Sequence, residues 1–101
     1  MRKEVEEYLE ELNPKALFAY GLDNAIIGVA QRINMDPIVA YDLDKCIEIL
    51  ASEMEVDESE LEEGETIESR QYEMADEYFY INTIGAWMGD GTPIFIKTNF
   101  E

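Results

Sequence analysis

Asp42 and Asp44 close an apolar run, IVAYDLD, and two carboxylates at the end of a buried strand form a chemically capable pair. The rest of the chain offers little to complete such a site. Histidine is absent, which removes the commonest general base and transition-metal ligand and rules out Ser-His and Cys-His pairs. With Cys46 as the single cysteine, neither an intramolecular disulfide nor a zinc site can be assembled from this chain alone. A strand that runs directly into a helix accounts for both aspartates without catalysis, one of them as the N-cap. No catalytic residue, metal ligand or cofactor site is assigned, and the chain is expected not to be an enzyme.

The acidic residues are the other chemical resource. They number 24 against 7 basic ones, a net charge of −17. A nucleic-acid binder needs a basic footprint and an anionic membrane repels an acidic protein, so neither is expected as a partner. A basic protein surface is the natural counterpart, because opposite charge speeds association. The densest acids are Glu53, Glu55, Asp57, Glu58, Glu60, Glu62, Glu63, Glu65 and Glu68. In an extended chain alternate residues lie about 6.6 Å apart on one side, close to the phosphate spacing of a nucleic-acid strand. Glu53, Glu55 and Asp57, or Glu58, Glu60 and Glu62, can therefore imitate a short phosphate backbone. Glu73, Asp76 and Glu77 extend that surface, as do the acids at 4, 6, 7, 10 and 11. The plainer reading is a solvated, solubilising segment. A calcium loop does not fit: an EF-hand with Gly64 sixth puts Leu61 third, where a ligand is required. The glycines at 85, 89 and 91 lack the lysine of a phosphate cradle and read as a turn.

These residues need elements to hold them. Val5, Tyr8, Leu9 and Leu12 mark one stripe of a helix over 3–12, stopped by Pro14. Ile26, Ile27, Ala30 and Ile33 suggest a second helix over 23–34, capped by Asp23 and weakened by Gly28. Residues 38–41 read as a short buried strand, and Leu43, Cys46, Ile47 and Leu50 then return to helical spacing behind a cap at Asp42 or Asp44. The acidic stretch 53–68 reads as an exposed insertion, with Asp57 and Glu60 able to cap a turn or two. Ile67, Met74, Ala75, Tyr78, Phe79 and Ile81 predict a helix over 67–83, the GDGTP run predicts a turn, and 94–97 a second strand. At 101 residues the chain is expected to form one domain. The fold class is α+β, with three or four helices on a two-stranded pair made by 38–41 and 94–97. Trp87 is expected in its core with Tyr78, Phe79 and Phe95. With one cysteine, and no apolar run long enough for a signal peptide or a bilayer span, the expected location is the cytoplasm.

Two resemblances bear on function. The IVAYDLD run resembles the first motif of haloacid dehalogenase-type phosphotransferases, which implies Asp42 as nucleophile and Asp44 as acid or base beside a metal, but Cys46 stands where that motif has Thr or Val, and the chain is too short for the later motifs. More of the chain, residues 23–50 and 72–96, resembles a family of small uncharacterised proteins from bacteriophages and bacterial genomes. The resemblance is carried by the AIIG segment, by YDLDKCIEIL, and by the GAWMGDGTPIF tail. It implies no activity, but a phage origin implies a counter-defence role. The expected function is thus a non-enzymatic acidic protein, an inhibitor that occupies the nucleic-acid-binding site of a host protein such as a nuclease. The alternative is a structural or regulatory subunit that binds through an apolar face and uses its charge for solubility. A metal-dependent hydrolase built on Asp42 and Asp44 comes third.

Overall fold

The computed structural model describes residues 1–100. Among the described residues three α-helices and three β-strands follow one another in the order α1 (Arg2–Leu12), β1 (Ile26–Ala30), β2 (Ile38–Asp42), α2 (Leu43–Glu53), α3 (Ile67–Phe79) and β3 (Ile94–Ile96). The class is α+β, with a small mixed sheet of order β1-β2-β3. No helix of the described residues is long and apolar enough to cross a membrane. The chain separates into two compact units. Unit 1 holds Met1–Cys46 and the C-terminal stretch from Trp87; unit 2 is Ile47–Ala86.

In unit 1, α1 buries Val5 and Leu9 and leaves Tyr8 and Leu12 half exposed, so its apolar stripe is narrower than the spacing suggests. Its C-terminal end is tied down by Asn13, a buried polar residue. The Asn13 backbone N–H donates to the Leu9 carbonyl at 2.8 Å, its Nδ2 donates to the Pro37 carbonyl at 2.9 Å, and its Oδ1 accepts from the Lys15 N–H at 3.3 Å. At the other end Arg2 pairs with Asp23 at 2.9 Å and lies 3.6 Å from the centre of the Phe18 ring.

The helix expected over 23–34 is not formed. Asp23–Ala25 makes one 3-10 turn, and the chain then enters β1, antiparallel to β2. Gly28 is the reason. Its φ of 151° is outside the range of a helix and is costly for any other residue, and it sits at a bulge where Ile26 faces Tyr41 but Gly28 already faces Ala40. The extra residue, Ile27, is consequently 40% exposed, while Ile26 is buried. With Ile26, Ile27 and Val29 β-branched and a bulge available, the strand outcompetes the helix. The hairpin returns through a turn in which Asn34 takes φ 65° and the Met35 N–H donates to the Arg32 carbonyl at 3.1 Å.

The strands expected at 38–41 and 94–97 do pair, in parallel, with Ala40 opposite Ile94 and Tyr41 opposite Phe95. The sheet has three strands instead of two because β1 joins it. From Ile38 to Tyr41 every residue of β2 is buried, as expected of a central strand covered on two faces. Tyr41 is fully buried, stacks on Phe95 at 5.4 Å, and accepts a hydrogen bond from the Ala19 N–H at 2.8 Å.

In unit 2, α2 continues to Glu53 with Ile47 buried. α3 begins at a reciprocal cap, in which Thr66 Oγ1 accepts from the Ser69 N–H and Ser69 Oγ accepts from the Thr66 N–H. Ala75 and Phe79, four residues apart, are its fully buried face. The helix loosens into one π turn over Tyr80–Ile84, so the element expected to reach 83 changes its hydrogen-bond spacing after Phe79.

Candidate functional site

The two aspartates that open the question of catalysis hold structural positions. Asp42 ends β2 and caps α2, its Oδ1 accepting from the Lys45 N–H at 3.1 Å, while its Oδ2 accepts from the Thr98 hydroxyl at 3.3 Å. Asp44, in the first turn of α2, receives both of its carboxylate contacts from Lys97 Nζ, each at 2.9 Å. A strand, a helix start and the residues after β3 thus use both groups. Among the described residues no cluster of three or more His, Cys, Asp or Glu has the geometry to hold a metal ion.

Cys46 follows on the buried side of α2. Burial pushes its thiol up from 9.0 to about 12, and Asp42 adds to the shift. Because the thiolate is the nucleophile, the native protein should resist alkylation by iodoacetamide at pH 8 and react fully in urea. The sign of the pH effect follows from the raised value. Stability is intact below pH 9, where the unfolded thiol keeps its proton, and should fall as pH climbs towards 12. Cys46→Ala should flatten that alkaline decline in a urea-unfolding series. Rapid alkylation of the folded protein would contradict the burial.

The expected partner-binding carboxylates Glu53, Glu55, Asp57, Glu58, Glu60, Glu62, Glu63, Glu65, Glu73, Asp76 and Glu77 all fall in unit 2. Unit 2 carries 13 acids and one base, Arg70, a net −12, whereas the rest of the chain carries 11 acids and 6 bases, a net −5. The segment between α2 and α3 has local order. Asp57 Oδ1 accepts from the Ser59 N–H at 3.0 Å and starts one 3-10 turn, Glu58–Glu60, and this hydrogen bond holds the Asp57 carboxyl below its usual value. Glu65 Oε1 accepts from the Glu62 N–H at 2.8 Å, and Gln71 Nε2 donates to the Met54 carbonyl at 2.7 Å. Asp57 caps a single turn, so the expected reach of one or two turns closes at the shorter value, and the cap bond goes to Ser59 instead of pairing with Glu60. Glu65 is half-buried and serves as a brace; Glu53, Glu55, Glu58, Glu60, Glu62 and Glu63 are exposed. None of the carboxylates from 53 to 68 has a Lys or Arg within ion-pair distance among the described residues. On α3, Glu73 pairs with Arg70 at 3.4 Å, Asp76 is half-buried, and Glu77 is exposed.

Unit 1 contains a feature that the residue pattern did not reveal. A groove of about 990 Å³ is lined by the β1–β2 connection, by the segment from Trp87 to Ile94, and by Asn13, Lys15 and Leu17. Trp87, expected in the core, is 70% exposed, and Met88 is 71% exposed. Of its expected companions, Phe79 is buried, Phe95 packs on Tyr41, and Tyr78 is 47% exposed. The glycines at 85, 89 and 91 were the available signal: they keep the chain in an irregular loop, and loops run over the surface. The loop is firmly built. Met88 N–H donates to Thr92 Oγ1 at 2.8 Å, Thr92 Oγ1 donates to the Gly89 carbonyl at 2.7 Å, and the Leu17 N–H donates to the Gly91 carbonyl at 2.9 Å.

The fold is thus a small α+β arrangement with two surface features, a carboxylate-rich unit 2 and, in unit 1, a groove lined by both apolar and charged residues. Comparison with known proteins adds no relative: no family model, curated protein or solved structure matches the chain.

Proposed function

We propose that this protein is a non-enzymatic acidic binding protein whose unit 2 occupies a basic, nucleic-acid-binding site on another protein. The observation that carries this reading is the segregation of charge. A net −12 is concentrated in Ile47–Ala86, and the exposed carboxylates of 53–68 lack cationic partners among the described residues. Unpaired like charges repel and cost stability, so a surface that leaves them unpaired gains when a partner supplies the cations. The local hydrogen bonds of Asp57, Glu65 and Gln71 order part of the segment beforehand, which reduces the entropy lost on binding. An inhibitor of a host defence nuclease, carried by a phage, is the specific form that the sequence resemblance suggests.

The test replaces Glu55, Asp57, Glu58, Glu60, Glu62 and Glu63 by Gln or Asn and measures association by surface plasmon resonance with a basic partner captured from bacterial lysate. The variant should stay folded. Association should slow mainly through the on-rate, the wild-type rate should fall steeply with salt because exposed charges are screened within about 8 Å at physiological ionic strength, and DNA or RNA should compete. Equal rates for the two proteins, with no competition, would sink the reading. The exposed Trp87 and Met88 favour a second reading, a subunit that docks through its apolar groove and is indifferent to these substitutions.

A further inference from the structure

Trp87 and Met88 project next to each other from a hydrogen-bonded loop, about seven-tenths exposed, and both line the groove of unit 1. Tryptophan is the residue most often found at the energetic centre of an interface, and methionine adapts its shape to what it meets. We propose that the groove beside them seats a short segment of a partner protein that is both apolar and basic. A large apolar side chain rests on Trp87 and Met88, and a Lys or Arg lies beside Asp36 and Asp90.

The charges select that occupant. Asp36 and Asp90 line the groove, are exposed, and have no cationic partner among the described residues. Arg32, on the same lining, is turned onto Met35, its Nε 3.0 Å from Sδ. Outside unit 2 the chain carries 11 acids and 6 bases, a net −5, so an acidic peptide or a second copy of the chain is repelled on approach while a cationic segment is drawn in. Lys15 and Arg32 temper this field locally, so the apolar contact supplies most of the affinity and the aspartates supply the preference. The volume, about 990 Å³, suits a few side chains and not a whole folded surface. Thr92 and Gly91 already hold the loop in place, so little ordering entropy is lost when a ligand arrives. The inference concerns unit 1 alone, and it does not depend on the acidic surface of unit 2.

The experiment uses the full chain and three blocked tetrapeptides with leucine and phenylalanine at the centre, flanked by lysine and arginine, by two glutamines, or by two glutamates. Trp87 is the only tryptophan, so its emission reports on the groove directly, and amide shifts in a nitrogen-15 spectrum locate the binding. The basic peptide should give a saturable blue shift, with amide changes confined to 31–36 and 87–94, and should bind about fivefold or more tighter than the glutamine peptide. Asp36→Asn with Asp90→Asn should abolish that preference. Met88→Ala should weaken the basic peptide at least about tenfold without changing the melting temperature. Three results overturn the proposal: no saturation with the basic peptide, equal binding of the acidic one, or amide changes centred on 53–68. A blue shift that grows with protein concentration in the absence of peptide would make a second copy the occupant and also overturn it.

Discussion

Tyr41→Ala is expected to remove about 3 to 5 kcal/mol of stability, the usual cost of deleting a buried aromatic ring. A small domain has about 5 to 15 kcal/mol in all, so this one change takes a large share. The ring sits in the central strand, fully buried, with Phe95 stacked on it at 5.4 Å, and its hydroxyl accepts the Ala19 N–H. Tyr41→Phe separates the two contributions. It keeps the ring and strands the Ala19 N–H, at a cost of about 1 to 3 kcal/mol. Urea unfolding followed by circular dichroism measures both variants. An alanine variant within about 1 kcal/mol of wild type would show that the ring contributes far less than its burial implies.

Gly91→Ala should be the second most damaging change, at about 2 to 4 kcal/mol. A methyl group at position 91 would lie 2.5 Å from the Lys15 carbonyl oxygen and 3.3 Å from the Ala16 Cα. Both are backbone atoms and cannot rotate aside, so the loop must move. Overpacking of this kind costs about 1 to 3 kcal/mol. The hydrogen bond from the Leu17 N–H to the Gly91 carbonyl, worth about 1 kcal/mol, is lost with it. Gly89→Ala is the control: its φ of 95° is strained for alanine, but nothing lies within 4 Å of the added methyl. It should cost about 1 to 2 kcal/mol. Thermal melts should rank Gly91→Ala below Gly89→Ala, and Leu17 amide exchange should accelerate in the first only. The reverse order would show that backbone conformation, and not the close approach to Lys15, sets the demand for glycine at 91.

The class α+β, the helix over Arg2–Leu12, the strand at Ile38–Asp42, the helix that follows it and the start of α3 are all legible along the chain, because each is settled by local chemistry. Apolar spacing, a proline stop and the cap at Asp42 act within a few residues, and so does the cap at Thr66, which the apolar spacing did not single out. The acid content, and the exposure of most of the run from 53 to 68, follow from composition alone, since carboxylates without partners stay in water. The position of Asp42 at a strand-to-helix junction was legible for the same reason, and the cap it makes there was one of the two expected.

Tertiary structure decided the rest. Ile26, Ile27, Ala30 and Ile33 have helical spacing, yet pairing with β2 and a bulge that only Gly28 accommodates made 26–30 a strand, and this turned a two-stranded pair into a three-stranded sheet. Trp87 reads as core by residue type, but whether a ring is covered depends on what the fold brings to it: Phe95 stacks on Tyr41, while Trp87 stays 70% exposed. Asp44 found Lys97, 53 residues away, and Asn13 found Pro37, 24 residues away. Local patterns cannot encode such partners, because these contacts exist only once the chain has closed the intervening loops and offset their entropy by burying the sheet. The groove between residues distant in sequence is of the same kind: its chemistry is written in Trp87, Met88, Asp36 and Asp90, and its existence depends on the fold that gathers them.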